Sequence, residues 1–127
     1  MVIDTSIFIE HLRAKDKSKT KLYSIRDHTP KFTTSITLYE LLTGADNNVR
    51  SEDIRLILSG ITILPFDNQP AIKAAEIYRQ LKRSNQLIEF RDIFIAAICI
   101  TNSQPVFTLN KKHFSRIQGL SISLVAS

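Results

Sequence analysis

Three acidic residues, Asp4, Glu40 and Asp92, carry the chemistry that this sequence suggests. Each stands where an apolar run meets a helical pattern: Ile3-Asp4-Thr5-Ser6, Thr37-Leu38-Tyr39-Glu40-Leu41-Leu42 and Phe90-Arg91-Asp92-Ile93. Each also has a plain structural account. Asp4 fits the N-cap of a helix beginning near Ser6, and Thr37-x-x-Glu40 matches a capping box. Asp92 at a helix start would gain about 0.3–1 kcal/mol from the helix dipole. Asp67, in Leu64-Pro65-Phe66-Asp67, is read as a helix cap and nothing more, so a strand-end position alone does not mark a site. What points to chemistry is the constellation. If the strands preceding these residues are neighbours in one sheet, the carboxylates converge. Two unit charges about 5 Å apart cost about 3 kcal/mol at an effective dielectric of 20. Several such pairs would consume much of a stability of about 5–15 kcal/mol unless a cation neutralised them. Oxygen donors with no His or Cys cluster favour Mg²⁺ or Mn²⁺ over zinc. His11, His28 and His113 show no metal-ligand spacing and are assigned surface or packing roles.

The elements that must position these side chains alternate between strand and helix. Val2–Ile3 reads as a strand end, short for the centre of a sheet, and Ser6 to Leu12 as a helix. The Lys-rich segment Lys15 to Lys21 leads into a further helix carrying Leu22, Tyr23 and Ile25. Pro30 stops it, and Phe32–Thr34 forms the second strand. A helix over Thr37 to Thr43 ends at Gly44, a favoured C-cap residue. Ser51 to Leu58 is helical and Ile61–Leu64 a strand. Asp67 caps a long helix with Ala71, Ala74, Ala75, Tyr78 and Leu81 on one face. The helix from Ile93 to Thr101 is apolar all round and is expected to be buried. Val106–Phe107 is a strand, Lys111 to Phe114 a helical turn, and Ser121 to Val125 a closing strand. Such alternation predicts a three-layer α/β/α sandwich with a central parallel sheet of about five strands. In open parallel sheets the functional crevice lies beyond the carboxyl ends of the strands.

Composition bounds the rest. The 127 residues fit one domain spanning the chain, long enough to bury a core without disulfide or metal support. The lone Cys99, set among Ala97, Ile98 and Ile100, excludes a disulfide framework within the chain and reads as a buried hydrophobe. No basic leader precedes an apolar run at the N-terminus, and the run from Ile93 to Ile100 is too short to span a bilayer. The expectation is a cytoplasmic protein without a membrane segment. A net charge of +5 is compatible with a polyanionic partner and equally with a merely basic soluble protein.

Taken together, the residues resemble the PIN-domain family and, within it, the VapC-type toxins of prokaryotic toxin–antitoxin pairs. The matching segments are Val2 to Ile9, Thr37 to Gly44, Arg91 to Ala97, and Val106 to Phe114. They cover essentially the whole chain; none is specific alone, and the four together are. The resemblance implies an acidic pocket of Asp4, Glu40 and Asp92, with Asn110 where many members carry a fourth acidic residue. It implies Thr5, Ser6 and Thr108 as hydroxyls supporting the carboxylates, with Asp4 and Asp92 as first metal ligands and Glu40 as ligand or base. The implied activity is endoribonuclease cleavage of RNA, assisted by Mg²⁺ or Mn²⁺. Lys31, Arg91, Lys111 and Lys112 are candidates to hold the RNA backbone. A homodimer and a small antitoxin partner are also implied, with Leu12 to Ile25 as a candidate docking surface.

Competing folds fit less well. A receiver domain wants an acidic pair after its first strand, and a dehalogenase-like phosphatase wants Asp-x-Asp, where this chain has Thr5-Ser6 after Asp4. Two alternatives within the family remain: an RNA-processing nuclease without a toxin role, and an inactive RNA- or protein-binding module.

Overall fold

The computed structural model describes residues 1–123. Strand β1 (Val2–Ile3) runs into α1 (Thr5–Arg13), and β2 (Phe32–Thr34) into α2 (Ser35–Thr43). Helix α3 (Asn48–Ile57) leads to β3 (Thr62–Leu64), followed by α4 (Asn68–Arg83) and α5 (Phe90–Thr101). Last come β4 (Val106–Phe107) and α6 (Lys111–Phe114). The strands form one sheet in the order β3-β2-β1-β4, with every pair parallel. Val2 lies beside both Phe32 and Val106. Two residues suffice for β1 because the ladder continues past it: Val2 N donates to Pro105 O, Phe32 N to Met1 O, and Asp4 N to Phe107 O.

Side chains alternate across the sheet, as a two-residue period requires. Val2 and Val106 pack on one face with Ala74, Ile77 and Leu81 of α4, Ile93, Ala96 and Ala97 of α5, and Phe114 of α6. Ile3 and Phe107 face the other way, against Ile7 and Phe8 of α1, Leu41 of α2, and Ile54 of α3. This is the expected three-layer arrangement. The fifth strand is reduced to a parallel bridge between Ile122 and Val106, and Leu124 and Val125 of the expected closing strand lie outside the described residues. Among the described residues, no helix is long and apolar enough to cross a membrane.

Three local expectations need correction. The helix expected to carry Leu22, Tyr23 and Ile25 is instead a 3₁₀ turn at Lys17–Lys19 followed by irregular turns. There Tyr23 N donates to Thr20 Oγ1 and Ser24 Oγ to Lys21 O, side-chain bonds that compete with a helical ladder. On α4 the buried stripe is Pro70, Ala74, Ile77 and Leu81, while Ala71, Ala75 and Tyr78 are exposed. The two stripes share Ala74 and Leu81, and the core takes the branched aliphatic Ile77 over the phenol of Tyr78. Finally, α2 starts before Thr37. Its N-cap is Thr34, whose Oγ1 accepts from Thr37 N at 3.0 Å. The capping box therefore does not form, and Glu40 is free for another role.

Candidate active site at the carboxyl edge of the sheet

Asp4 leaves β1 as the N-cap of α1, with Oδ1 accepting from Ser6 N at 3.1 Å. It does more than cap. Ser6 Oγ donates to Oδ1 at 2.6 Å and Thr108 Oγ1, just past β4, donates to Oδ2 at 2.7 Å. The same hydroxyls accept backbone N–H groups from the β4–α6 loop: Leu109 N reaches Ser6 Oγ at 2.9 Å and Asn110 N reaches Thr108 Oγ1 at 2.8 Å. Asp4 is only 3% exposed. Burial pushes its carboxyl pKa up to about 6, the Ser6 and Thr108 hydrogen bonds pull it down, and the charge of Asp92 pushes it up again.

Asp92 is the third residue of α5 and not its opening one, because the helix begins at Phe90. Its Oδ2 lies 3.2 Å from Asn110 Nδ2 and 3.2 Å from His113 Nδ1. Asn110 Nδ2 and His113 Nδ1 are themselves 2.9 Å apart. His113 is thus part of the site, against its assignment to a surface or packing role. The signal was present in the sequence as Asn110-Lys111-Lys112-His113, an i, i+3 spacing that places two side chains on one side of a helical turn.

Glu40, on α2, takes a hydrogen bond from Thr5 Oγ1 at 2.9 Å, and that hydroxyl also lies 3.0 Å from Thr37 Oγ1. Arg91 approaches the other carboxylate oxygen, Nη1 to Oε2 at 3.8 Å, and pairs with Glu89 through Nη2. Among the described residues, Arg91 Nε is the buried side-chain polar atom with no hydrogen-bond partner. Leaving such a group unsatisfied costs about 1–3 kcal/mol.

The carboxylates therefore occupy linked clusters. Asp4 joins Asp92 through Thr108 and Asn110, while Glu40 is tied to the residue after Asp4 and to the residue before Asp92. Among the described residues, no three His, Cys, Asp or Glu side chains gather into a ready set for a metal ion. The donor chemistry of the Asp4–Asp92 pair nonetheless fits a hard divalent cation: a buried carboxylate feels the charge of a second one, and both offer oxygen ligands.

The basic candidates divide by position. Lys111 and Lys112 are exposed on α6, directly after Asn110. Lys31 precedes β2, at the amino end of the sheet, where its Nζ contacts Asp27 O and Thr29 O. It stands away from the carboxyl edge because parallel strands put all their carboxyl ends on one side. A cleft of about 470 Å³ opens beside Glu40 between α1, α2 and α3, lined by Ile9, Leu12, Arg13, Leu41 and Ile54 among others. Of the segment Leu12 to Ile25, Leu12 and Arg13 reach this cleft, whereas Ile25 is buried in the core.

A family model described as PIN domain matches residues 1–120. The chain is 36% identical to a protein named ribonuclease VapC1 from Rickettsia felis, covering all of this chain and 97% of that one. It is 35% identical to a ribonuclease VapC from Rickettsia bellii, covering 98% and 96%. Its fold superposes with a TM-score of 0.84 on a chain of the DNA-bound VapBC2 complex from Rickettsia felis, at 21% identity and 96% coverage of both. The family model and the identity to these relatives give the same answer: the chain belongs to the PIN-domain family, and within it to the VapC-type proteins.

Proposed function

We propose that this chain is a divalent-metal-dependent endoribonuclease acting as the toxin of a toxin–antitoxin pair. The observation that carries the reading is the linked carboxylate network, in which Asp4 is buried, braced on both oxygens, and faced by Asp92. A helix cap needs only one of those oxygens, and burying a carboxylate beside a second anion disfavours its charged form. Names of relatives and of structural neighbours support the activity and the partner: ribonuclease VapC for the former, and VapBC or toxin–antitoxin complexes for the latter.

In this reading Asp4 and Asp92, joined by Glu40, hold Mg²⁺ or Mn²⁺. When bound, the cation supplies Lewis acidity toward a phosphate oxygen and compensates the gathered negative charge. Ser6 and Thr108 hold the Asp4 carboxylate in one orientation, and Thr5 holds Glu40 facing the crevice. Arg91, paired with Glu89 through Nη2 and 3.8 Å from Glu40 through Nη1, offers the outer edge of its guanidinium to a phosphate oxygen. Lys111 and Lys112 at the rim attract the backbone without reading bases. The antitoxin occupies the cleft beside Glu40, and the chain acts in the cytoplasm as a homodimer of single PIN-like domains spanning residues 1–127.

Purified protein should cut RNA with Mg²⁺ or Mn²⁺ and stop when the metal is chelated. Asp4→Asn and Asp92→Asn should each lower the cleavage rate by about 10²–10³-fold or more, the scale of losing one electrostatic element of a reaction centre. Full cleavage by both variants, with native circular dichroism, would remove these residues from the mechanism. RNA binding without cleavage by the unmodified protein would instead make it a binding module.

A further inference from the structure

Asn110 stands at the N-cap position of α6, where asparagine is favoured because its side chain accepts a backbone N–H. It makes no such bond. Its amide turns to Asp92 Oδ2 and His113 Nδ1 instead, and the three polar atoms form a triangle with edges of 2.9, 3.2 and 3.2 Å.

With Asp92 ionised and no cation bound, no hydrogen-bond assignment satisfies all three edges of this triangle. The carboxylate only accepts and an amide NH₂ only donates. If His113 Nδ1 accepts from Asn110, its lone pair faces the Asp92 oxygen. If Nδ1 carries the proton and donates to Asp92, it opposes the amide N–H. Turning the amide to present Oδ1 satisfies His113 and sets that oxygen against the carboxylate. Every assignment leaves one edge repulsive. A cation removes the conflict, because Oδ2 of Asp92, Oδ1 of the turned Asn110, and Nδ1 of neutral His113 would then each direct a lone pair at it.

The spacing agrees. A divalent cation with bonds of about 2.0–2.2 Å keeps neighbouring ligands about 2.8–3.5 Å apart, whether octahedral or tetrahedral. The scaffold agrees too: Phe114, next to His113, is fully buried and anchors α6, while the His113 side chain remains 39% exposed, open to an ion arriving from solvent.

We propose that Asp92, Asn110 and His113 form a mixed oxygen–nitrogen ligand set for a divalent transition-metal cation, which selects Mn²⁺ over Mg²⁺. Mg²⁺ requires hard oxygen ligands and gives up water reluctantly, whereas imidazole nitrogen suits first-row transition ions. The assignment rests on the metal-dependent reading of the crevice, since Asp92 belongs to both, and it adds the nitrogen donor that an all-carboxylate site lacks.

Pulsed electron paramagnetic resonance of the full chain loaded with Mn²⁺ tests the ligand set directly. Unmodified protein should show ¹⁴N hyperfine coupling from a bound imidazole. His113→Leu should lose that coupling and bind Mn²⁺ about tenfold or more weakly by titration calorimetry, the scale of damaging a metal site's coordination. His113→Asp, which restores a donor as oxygen, should bind Mn²⁺ without ¹⁴N coupling and with a smaller preference over Mg²⁺. Failure of the unmodified protein to bind Mn²⁺, absence of nitrogen coupling in it, or coupling that persists in His113→Leu would overturn the proposal. Metal-dependent cleavage with no nitrogen coupling would discard this ligand set and leave the nuclease reading intact. Nitrogen coupling in a protein that cuts no RNA would uphold the ligand set and discard the nuclease.

Discussion

Asp4 shows how a single residue can serve two purposes at unequal cost. As an N-cap it needs one oxygen, and asparagine would cap about as well. Its second oxygen accepts from Thr108 Oγ1, and its burial brings it under the charge of Asp92, neither of which a cap requires. A carboxyl pKa raised from 3.8 to about 6 means that the folded chain holds a proton that the unfolded chain releases between roughly pH 4 and 6. The associated stability is present below pH 4 and lost as pH rises through 6, a difference of up to about 3 kcal/mol at pH 7. In the presence of a chelator, Asp4→Asn should therefore be more stable than the unmodified protein at pH 7. The gap should close toward pH 4, read as the separation of urea midpoints. A variant less stable at both pH values would show that the carboxylate's hydrogen bonds outweigh its burial. Cys99 marks the contrasting case. Burial, with Asp4 nearby, pushes its thiol up to about 12, which leaves it an inert member of the core.

At the scale of elements, α4 tests the packing account. Its core stripe runs through Pro70, Ala74, Ile77 and Leu81, and Tyr78 is 44% exposed with Lys82 Nζ 5.9 Å from its ring centroid. Ile77→Ala should cost about 2–5 kcal/mol by leaving a cavity against α5. Tyr78→Ala should cost no more than about 1 kcal/mol, the scale of an exposed cation–π contact. Urea denaturation of the two variants distinguishes the stripes. Equal losses would place Tyr78 in the core, as the periodicity of the alanines suggested. On α5, Phe94 packs 4.4 Å from Phe66 and 5.5 Å from Phe90, centroid to centroid. The first turn that carries Arg91 and Asp92 is thereby held by aromatic contacts at its base.

For the molecule as a whole, the parallel sheet divides the basic residues between two ends. Lys111 and Lys112 stand at the carboxyl edge with the carboxylates, and Lys31 at the amino edge. Phosphate contacts release counterions, so each lost contact lowers the slope of log affinity against log salt by about 0.7 for a single strand. Lys111→Ala and Lys112→Ala should each reduce that slope by this amount in fluorescence polarisation with an RNA oligonucleotide and chelator. Lys31→Ala should leave it unchanged. A slope altered by Lys31→Ala alone would place the RNA on the opposite end of the sheet.

Much of this was legible in the linear order of residues. Apolar pairs such as Val2–Ile3 and Val106–Phe107, each followed by polar residues, mark strands ending at the edge where the Asp4 cluster forms, because a two-residue period and a carboxyl-edge crevice are local rules. The residue types of Asp4, Glu40 and Asp92 likewise announce oxygen-donor chemistry. What the order of residues left open was decided by packing and long-range hydrogen bonding. Thr34 captured the cap that Thr37 seemed to own, and Thr5, 35 residues away in sequence, took up the freed Glu40. Ile77 outcompeted Tyr78 for the core because burial favours the wholly apolar side chain. His113 joined Asp92 across 21 positions, a partnership that exists only once α5 and α6 lie side by side. Local sequence sets which groups are offered; the closed sheet sets which of them meet, because distances between remote residues are determined only when the whole chain packs.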